Sequence, residues 1–578
     1  MKPASLVTIL VLAKVAGLSS RTLPLSLWLP SVLFWDDVAV GVALWAIDRV
    51  VKRPRVTTAI YWIVIGWTVL NVPVVRALSS PLTVNMLGAA GGALRDSVTH
   101  YATAGNTLIV TCLLLLAWRL PRELARIPPL AAMISTLAAI AVALPGPLVE
   151  RRVDVHGFER NAVTALVRTS LPRVEGRELA GEWRLSPMLG LASLTPVDLG
   201  SLRHAAAGRN VALIALESTA AQYLRSYGAA DDPMPNLTWL AETAIQFDRA
   251  YAVYPESIKG LFALLCSRSP AFDIPAEVHA RAACAPLARA FSTAGYRTAL
   301  FHSGRFAYLG MQEVVARQGF ETLEDAGAIG GNVQSSFGVD EPATVSRMLA
   351  WVDALGRDER FFLTYLPVAG HHPYPAAQPG PFAGSDDLSA YKNALYDGDR
   401  SLGALLQGLR ARGHDRDTMF VLYGDHGEAF GQHDGNFGHT LFIYDENVRV
   451  PLYVSIPGVT TGRVTVPNVA STIDIAPTIL ELAGLPVPGA YEGQSLLEPR
   501  SRLALFQTDY SLGLFGLQDG CWKYIFEIDS SRSRLFDTCA DPQESRDRAL
   551  ELPSRVRAYS ARLRAWTSAT RAAMERAP

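Results

Sequence analysis

Thr418-Met-Phe-Val-Leu-Tyr423 runs straight into Gly424-Asp425-His426-Gly427-Glu428. The first six residues are apolar, aromatic or β-branched, which predicts a buried parallel strand. Asp425 and His426 then stand at its carboxyl edge, where open α/β sheets bind ligands. Neighbouring strand residues point to opposite faces, so the two side chains can share one ion only where the strand stops and turns. Gly424 and Gly427 are expected to permit that turn. The next stretch, Gly431-Gln-His433-Asp434-Gly-Asn436-Phe-Gly-His439, adds more potential ligands.

Other strand ends repeat the pattern. Val211–Leu216 is a second apolar run and closes on Glu217. Thr298–Phe301 leads to His302 and Arg305, and Arg360–Leu366 leads to Gly370-His371-His372-Pro373-Tyr374. Glu217, His302, His371, Asp425 and His426 at four strand ends predict one convergent site. Ser257 precedes Leu261–Leu265, an apolar run of helical character. A hydroxyl there is ordinarily an N-cap. A helix N-terminus also lowers a nucleophile's pKa and offers free N–H groups to phosphate.

The chain has 578 residues, too many for one core, so several domains are expected. Its formal net charge of -1 implies no bulk attraction to nucleic acid. Charged residues are 19% and mean hydropathy is +0.17, which points to membrane segments. The apolar bias lies in residues 1–150. Five spans are expected there, near 4–18, 31–50, 56–78, 106–120 and 130–149. Arg49, Lys52, Arg53 and Arg55 crowd one loop and Arg119, Arg122 and Arg126 another, whereas 79–105 is basic only at Arg95. The positive-inside rule then puts the N-terminus in the cytoplasm and everything after the fifth span outside. Lys14 interrupts the first run, so no cleaved signal peptide is expected. Asp36-Asp37 is expected at the outer rim of the second span rather than within it. Residues 151–208 read as a linker with a helix near 157–169, 209–500 as the catalytic domain, and 501–578 as a C-terminal hairpin and helix.

Taken jointly, Leu216-Glu217-Ser218, a hydroxyl forty residues on, Gly-Asp-His-Gly-Glu, and the downstream Gly438-His439 resemble the sulfatase-like branch of the alkaline phosphatase superfamily. Val450–Pro457, Asp474–Gly484, Gly493–Leu497, Trp522–Ile525 and Leu535–Pro542 resemble its later segments, so the likeness covers about 210–550. Together with the spans, it resembles the membrane-anchored members: lipoteichoic acid synthase and the phosphoglycerol and phosphoethanolamine transferases. The resemblance implies an α/β alkaline phosphatase-like sheet sandwiched by helices, preceded by an α-helical five-span membrane domain.

It further implies a metal held by Glu217, Ser257, Asp425 and His426, and substrate-side histidines at His371 and His439. Two carboxylates, an imidazole and an alkoxide suit Zn²⁺ or Mn²⁺ better than Ca²⁺. Ser257 would form a covalent intermediate, and a histidine would protonate the leaving alkoxide. The expected function is transfer or hydrolysis of a phosphorylated lipid headgroup at a bacterial cell membrane, with a lipid donor and a glycan, lipid or water acceptor. The alternatives are a sulfuric ester hydrolase and an inactive binding or sensor protein.

Departures from the family pattern sharpen the reading. Sulfatases that mature a formylglycine have Pro two residues and Arg four residues after the modified position. Here Lys259 and Leu261 stand there, so an unmodified hydroxyl is expected. The phosphate-gripping Trp-Asn-Arg of the lipoteichoic acid synthases corresponds to Leu309-Gly310-Met311. Lys259 or Arg305 is then the expected stand-in, with His302, His372 and His433 as further substrate-side candidates. Cys266, Cys284, Cys521 and Cys539 all fall outside, where disulfides persist. Sequence leaves their connectivity open, and nearest-neighbour pairing is the expectation.

Overall fold

The computed structural model describes residues 2–19, 21–89, 102–177, 196–335, 337–500 and 502–576. Arg95 and part of the 151–208 linker lie outside the described residues. The apolar runs at 210–216 and 418–423 become the strands β1 (Asn210–Leu216) and β6 (Thr418–Gly424), which pair in parallel along their length. Between them in sequence come β2 (Ile245–Tyr251), β3 (Arg297–His302), β4 (Thr322–Glu324) and β5 (Phe361–Leu366). After them come β7 (Arg449–Val450), β8 (Leu452–Ser455) and β9 (Val464–Ser471). The sheet order is β7-β2-β8-β6-β1-β5-β3-β4, with β9 on β2. The β6-β1-β5-β3-β4 half is parallel, and β8 runs antiparallel to β6 and β2.

Both faces of this sheet are covered, which explains the unbroken apolar runs. Val211, Leu213 and Ala215 pack in one core with Met419, Val421 and Tyr423. Ala212, Ile214 and Leu216 pack in the other with Phe420 and Leu422. Helices α6 (Ser257–Cys266), α7 (Glu341–Asp353) and α8 (Asp387–Ala411) contribute to those cores.

Among the described residues, five helices of 15 or more residues precede the sheet: α1 (Lys2–Leu18), α2 (Leu29–Val51), α3 (Pro54–Leu78), α4 (Ala104–Leu124) and α5 (Pro129–Ala143). Among the described residues, four stretches, 29–51, 54–78, 104–124 and 129–149, are long and apolar enough to cross a membrane; α1, with 17 residues, is shorter. The Asp36-Asp37 pair lies in the half of α2 that faces the linker. Both are buried where α1 and α2 meet the linker. Asp37 sits 2.6 Å from Lys14 Nζ, and Asn161 donates its backbone N–H to Asp36 and its amide to Asp37. A buried acid is tolerated when it is paired and hydrogen-bonded, and the linker supplies the partner that the helix alone does not.

The C-terminal region is more than a hairpin. β10 (Leu503–Thr508), β11 (Leu514–Asp519), β12 (Trp522–Glu527) and β13 (Arg532–Asp537) form a four-stranded antiparallel sheet. The amphipathic α9 (Pro553–Glu575) buries Tyr559, Leu563 and Trp566 against it. Cys266 bonds Cys284 and Cys521 bonds Cys539, with Cα separations of 5.5 and 5.2 Å. The second bridge joins the outer ends of β12 and β13.

Candidate active site

The carboxyl ends of β1 and β6 lie side by side, so Glu217 and Asp425 emerge together. Ser218 has φ 53°, a left-handed conformation that a non-glycine residue adopts at some cost. There its N–H donates to Asp425 Oδ1 at 3.0 Å, and His426 N–H donates to the same oxygen at 2.8 Å. The two glycines act differently from the sequence expectation. Neither Gly424 nor Gly427 has positive φ. A Cβ on Gly427 would lie 2.1 Å from the Glu446 carbonyl, and one on Gly424 would lie 2.5 Å from the Thr219 carbonyl. They are required by close backbone approach.

Ser257 is not the cap of α6. The N-cap is Glu256, whose carboxylate accepts from the N–H groups of Ile258 and Lys259. The Ser257 hydroxyl is therefore left for the strand ends. Its Oγ lies 2.7 Å from Asp425 Oδ2, 3.1 Å from Glu217 Oε2 and 3.3 Å from His426 Nε2. His426 Nδ1 faces the Gly427 carbonyl at 3.0 Å, so Nδ1 carries the proton and Nε2 presents its lone pair. Ligand atoms of Glu217, Asp425 and His426 lie within 4.8 Å of one another.

This donor set fits a divalent cation. Two buried carboxylates face each other across a hydroxyl and a neutral imidazole. Burial, then the Asp425 charge, pushes the Glu217 carboxyl well above its ordinary pKa. Like charges so close are relieved by protonation or by a metal.

A second layer adjoins this set. The His439 ring stacks on His426 with centroids 4.0 Å apart, and its Nδ1 lies 2.6 Å from Glu428 Oε2. The Tyr374 hydroxyl donates to the other Glu428 oxygen at 2.7 Å. The His371 ring lies 6.1 Å from that of His439 and against Phe337. Burial holds the His371 and His439 imidazoles down at about 4, so both are neutral near pH 7. His426, Glu428 and His439 form a second group of metal-ligand type. Glu428 stands inside the quoted motif and Tyr374 beside His371, but nothing local in the sequence pairs them.

The remaining sequence candidates part company. His302 is buried, with Nδ1 on the Leu366 carbonyl at 2.9 Å and its ring against Phe306. Arg305 is exposed. His372 stacks edge-on against Tyr374. Lys259 does not reach toward the carboxylate cluster; its ammonium is held by Asp509. His433 points to the C-terminal sheet, with Nδ1 2.7 Å from Glu446 and its ring on Tyr444. Both are bound by acids, Glu446 and the distant Asp509, that no spacing rule connects to them.

A parallel-centred sheet covered on both faces, with acid, imidazole and hydroxyl gathered at its carboxyl edge, defines an alkaline phosphatase-like α/β fold. Residues 209–485 match the family model described as Sulfatase, so this stretch of the chain is similar to the sulfatases. Similar solved structures include the lipoteichoic acid synthase LtaP from Listeria monocytogenes, with TM-score 0.56 and 17% identity, covering 67% of this chain and 97% of that one. An alkaline phosphatase superfamily protein from Vibrio parahaemolyticus has TM-score 0.53 and 18% identity, covering 65% and 95%. Among curated relatives, Arylsulfatase K of Xenopus laevis is 28% identical over 199 residues, 31% of this chain and 37% of that protein. The chain thus spans less than half the length of the arylsulfatase K relatives it matches. Sulfatase-like enzymes typically use a divalent metal ion.

Proposed function

We propose that this chain is a membrane-anchored, metal-dependent phosphoryl-ester transferase or hydrolase that works through Ser257. The observation that carries the reading is the Ser257 hydroxyl itself: Glu256 caps the helix, and Oγ sits among Glu217, Asp425 and His426. Those four residues would hold the cation, Zn²⁺ or Mn²⁺ by donor type. When bound, such a cation lowers the pKa of a hydroxyl and offsets charge on the transferred group.

The bond-making and proton transfers belong to the chain's own residues. Ser257 Oγ forms a bond to phosphorus, and the ester bond to the leaving alkoxide breaks. The neutral imidazoles of His439, oriented by Glu428, and His371 take up the proton that the Ser257 hydroxyl loses and pass it to the leaving alkoxide. A second alcohol or water gives its proton to the same imidazoles and attacks phosphorus; the bond to Ser257 Oγ breaks, and that proton returns to the Ser257 oxygen. Burial of Glu217, His426 and Glu428 excludes bulk water and strengthens each of these interactions.

The preferred donor is a membrane lipid with a phosphoglycerol or phosphoethanolamine headgroup. The adjoining apolar helices support that choice, and so does the likeness to a lipoteichoic acid synthase fold. A sulfuric ester is the second reading, favoured by the arylsulfatase relatives. Turnover of a generic phosphodiester and a generic sulfate ester, with the mass of the Ser257 peptide, separates them. A phospho-adduct on unmodified Ser257 is expected; formylglycine at 257, or turnover of the sulfate ester alone, would transfer the function to the second reading.

By the positive-inside rule, we propose that residues 151–578 lie outside the cytoplasm of a bacterial cell. The basic loops 49–55 and 119–126 gather at the end of the bundle remote from the sheet. Lys2 reaches the Pro54 carbonyl there, and Tyr61 reaches that of Ala117. Protease added to spheroplasts should remove the catalytic domain; full protection would invert the orientation.

A further inference from the structure

The first turn of α6 carries a buried cation for which the chemistry above has no use. Lys259 Nζ lies 2.9 Å from Asp509 and 3.3 Å from the Tyr254 hydroxyl, over the Tyr254 ring at 4.6 Å. Asp509 stands between β10 and β11, and it also accepts from the Tyr254 hydroxyl and from the Asp273 N–H at 2.8 Å. Both members of the ion pair are buried.

The backbone of 509–511 is gripped from its other side. Asn85 donates to the Asp509 carbonyl at 2.8 Å, and Arg173 donates to the same carbonyl at 2.8 Å and to that of Ser511 at 2.9 Å. The Thr83 hydroxyl donates to the Tyr510 carbonyl, and the Ser80 and Ser511 hydroxyls are 2.8 Å apart. Residues 80–85 are the segment that leaves α3. Three consecutive residues thus join the apolar helices, the linker and the helix that begins with Ser257.

A buried ion pair adds little stability over apolar side chains of similar volume, but it fixes relative geometry where its hydrogen bonds are all made. We propose that Lys259 and Asp509 are positioning residues. Through them the segment leaving α3 and the C-terminal sheet set the first turn of α6, and with it the aim of Ser257 Oγ between Glu217, Asp425 and His426. The inference rests on the reading of Ser257 as nucleophile.

The test uses the full-length protein in detergent with added Mn²⁺ or Zn²⁺ and a phosphodiester. Lys259→Met alone strands the Asp509 charge and is expected to lower the melting temperature. The double variant Lys259→Met/Asp509→Asn removes both charges and is expected to recover it. Its kcat should nevertheless stay about tenfold or more below wild type, with KM within about threefold, because small misplacement of a reacting atom acts on the chemical step. Wild-type kcat in a folded double variant would make the pair merely structural and overturn the proposal. Should the double variant not fold, Thr83→Val/Asn85→Ala decides, since it loosens the same joint from its far side; unchanged kcat there overturns the proposal, and a severalfold fall at unchanged KM supports it. Equal turnover by wild type and Ser257→Ala would instead remove the nucleophile reading beneath it, a result independent of any Lys259 variant.

Discussion

Ser257→Ala is expected to lower turnover by about 10³-fold or more, because residues of a covalent route act as a unit. Its fold should survive. The Ser257 hydroxyl caps nothing, since the free N–H groups of Ile258 and Lys259 are taken by Glu256. The stability control is therefore Glu256→Ala, which should cost about 1 kcal/mol of the helix's cap. Ser257→Thr keeps an oxygen at the same backbone position, one β-branch larger, and should retain measurable turnover. The order wild type, Thr, Ala in kcat, at comparable melting temperatures, is the expected result. Near wild-type turnover in the alanine variant would sink the nucleophile assignment. A large loss of melting temperature in that variant would show that the hydroxyl is a structural bond instead.

Much of this site was readable because it is built on strand ends. Buried parallel strands announce themselves as apolar runs, and the first polar residue after such a run must sit at the sheet edge. That logic located Glu217, Asp425, His426 and His371 without any knowledge of strand order. It could not reveal which face a helix residue takes. Lys259 and Ser257 are two positions apart on α6, about 200° around the helix, so one meets the carboxylates and the other meets Asp509. It could not assign His433 either, because Glu446 becomes its partner only when the 431–439 loop folds back. The glycines illustrate a third limit. A glycine needed for φ and one needed for space look identical in sequence, and the Glu446 carbonyl that excludes a Cβ at Gly427 lies nineteen residues away. The long α8 carries no motif, yet Tyr391, Leu395, Leu402, Leu405 and Leu409 keep helical spacing and are its buried face.

Removing the divalent cation should abolish turnover and destabilise the catalytic domain together. The carboxylates of Glu217 and Asp425 are buried on either side of one hydroxyl, and no described Lys or Arg is paired with them. A ligand that binds the folded state stabilises it by about 2.7 kcal/mol at a hundredfold excess over its dissociation constant. Chelation should therefore lower the melting temperature of the catalytic domain by several degrees, and Mn²⁺ or Zn²⁺ should restore it. The pH dependence has a definite sign. The metal binds deprotonated carboxylates and a neutral imidazole, so protons compete with it. Because burial and the Asp425 charge push the Glu217 carboxyl up, that competition begins well above the ordinary carboxylate range, and the stabilisation shrinks steadily as pH falls and vanishes in acid. Asp425→Asn removes one charged ligand and should erase both the chelator shift and its pH dependence. If Asp425→Asn kept the full shift, the stabilising ion would belong to the neighbouring His426, Glu428 and His439 group. If chelation moved neither turnover nor melting temperature, the carboxylate pair would have to be held by a shared proton, and metal-assisted transfer at Ser257 would be wrong.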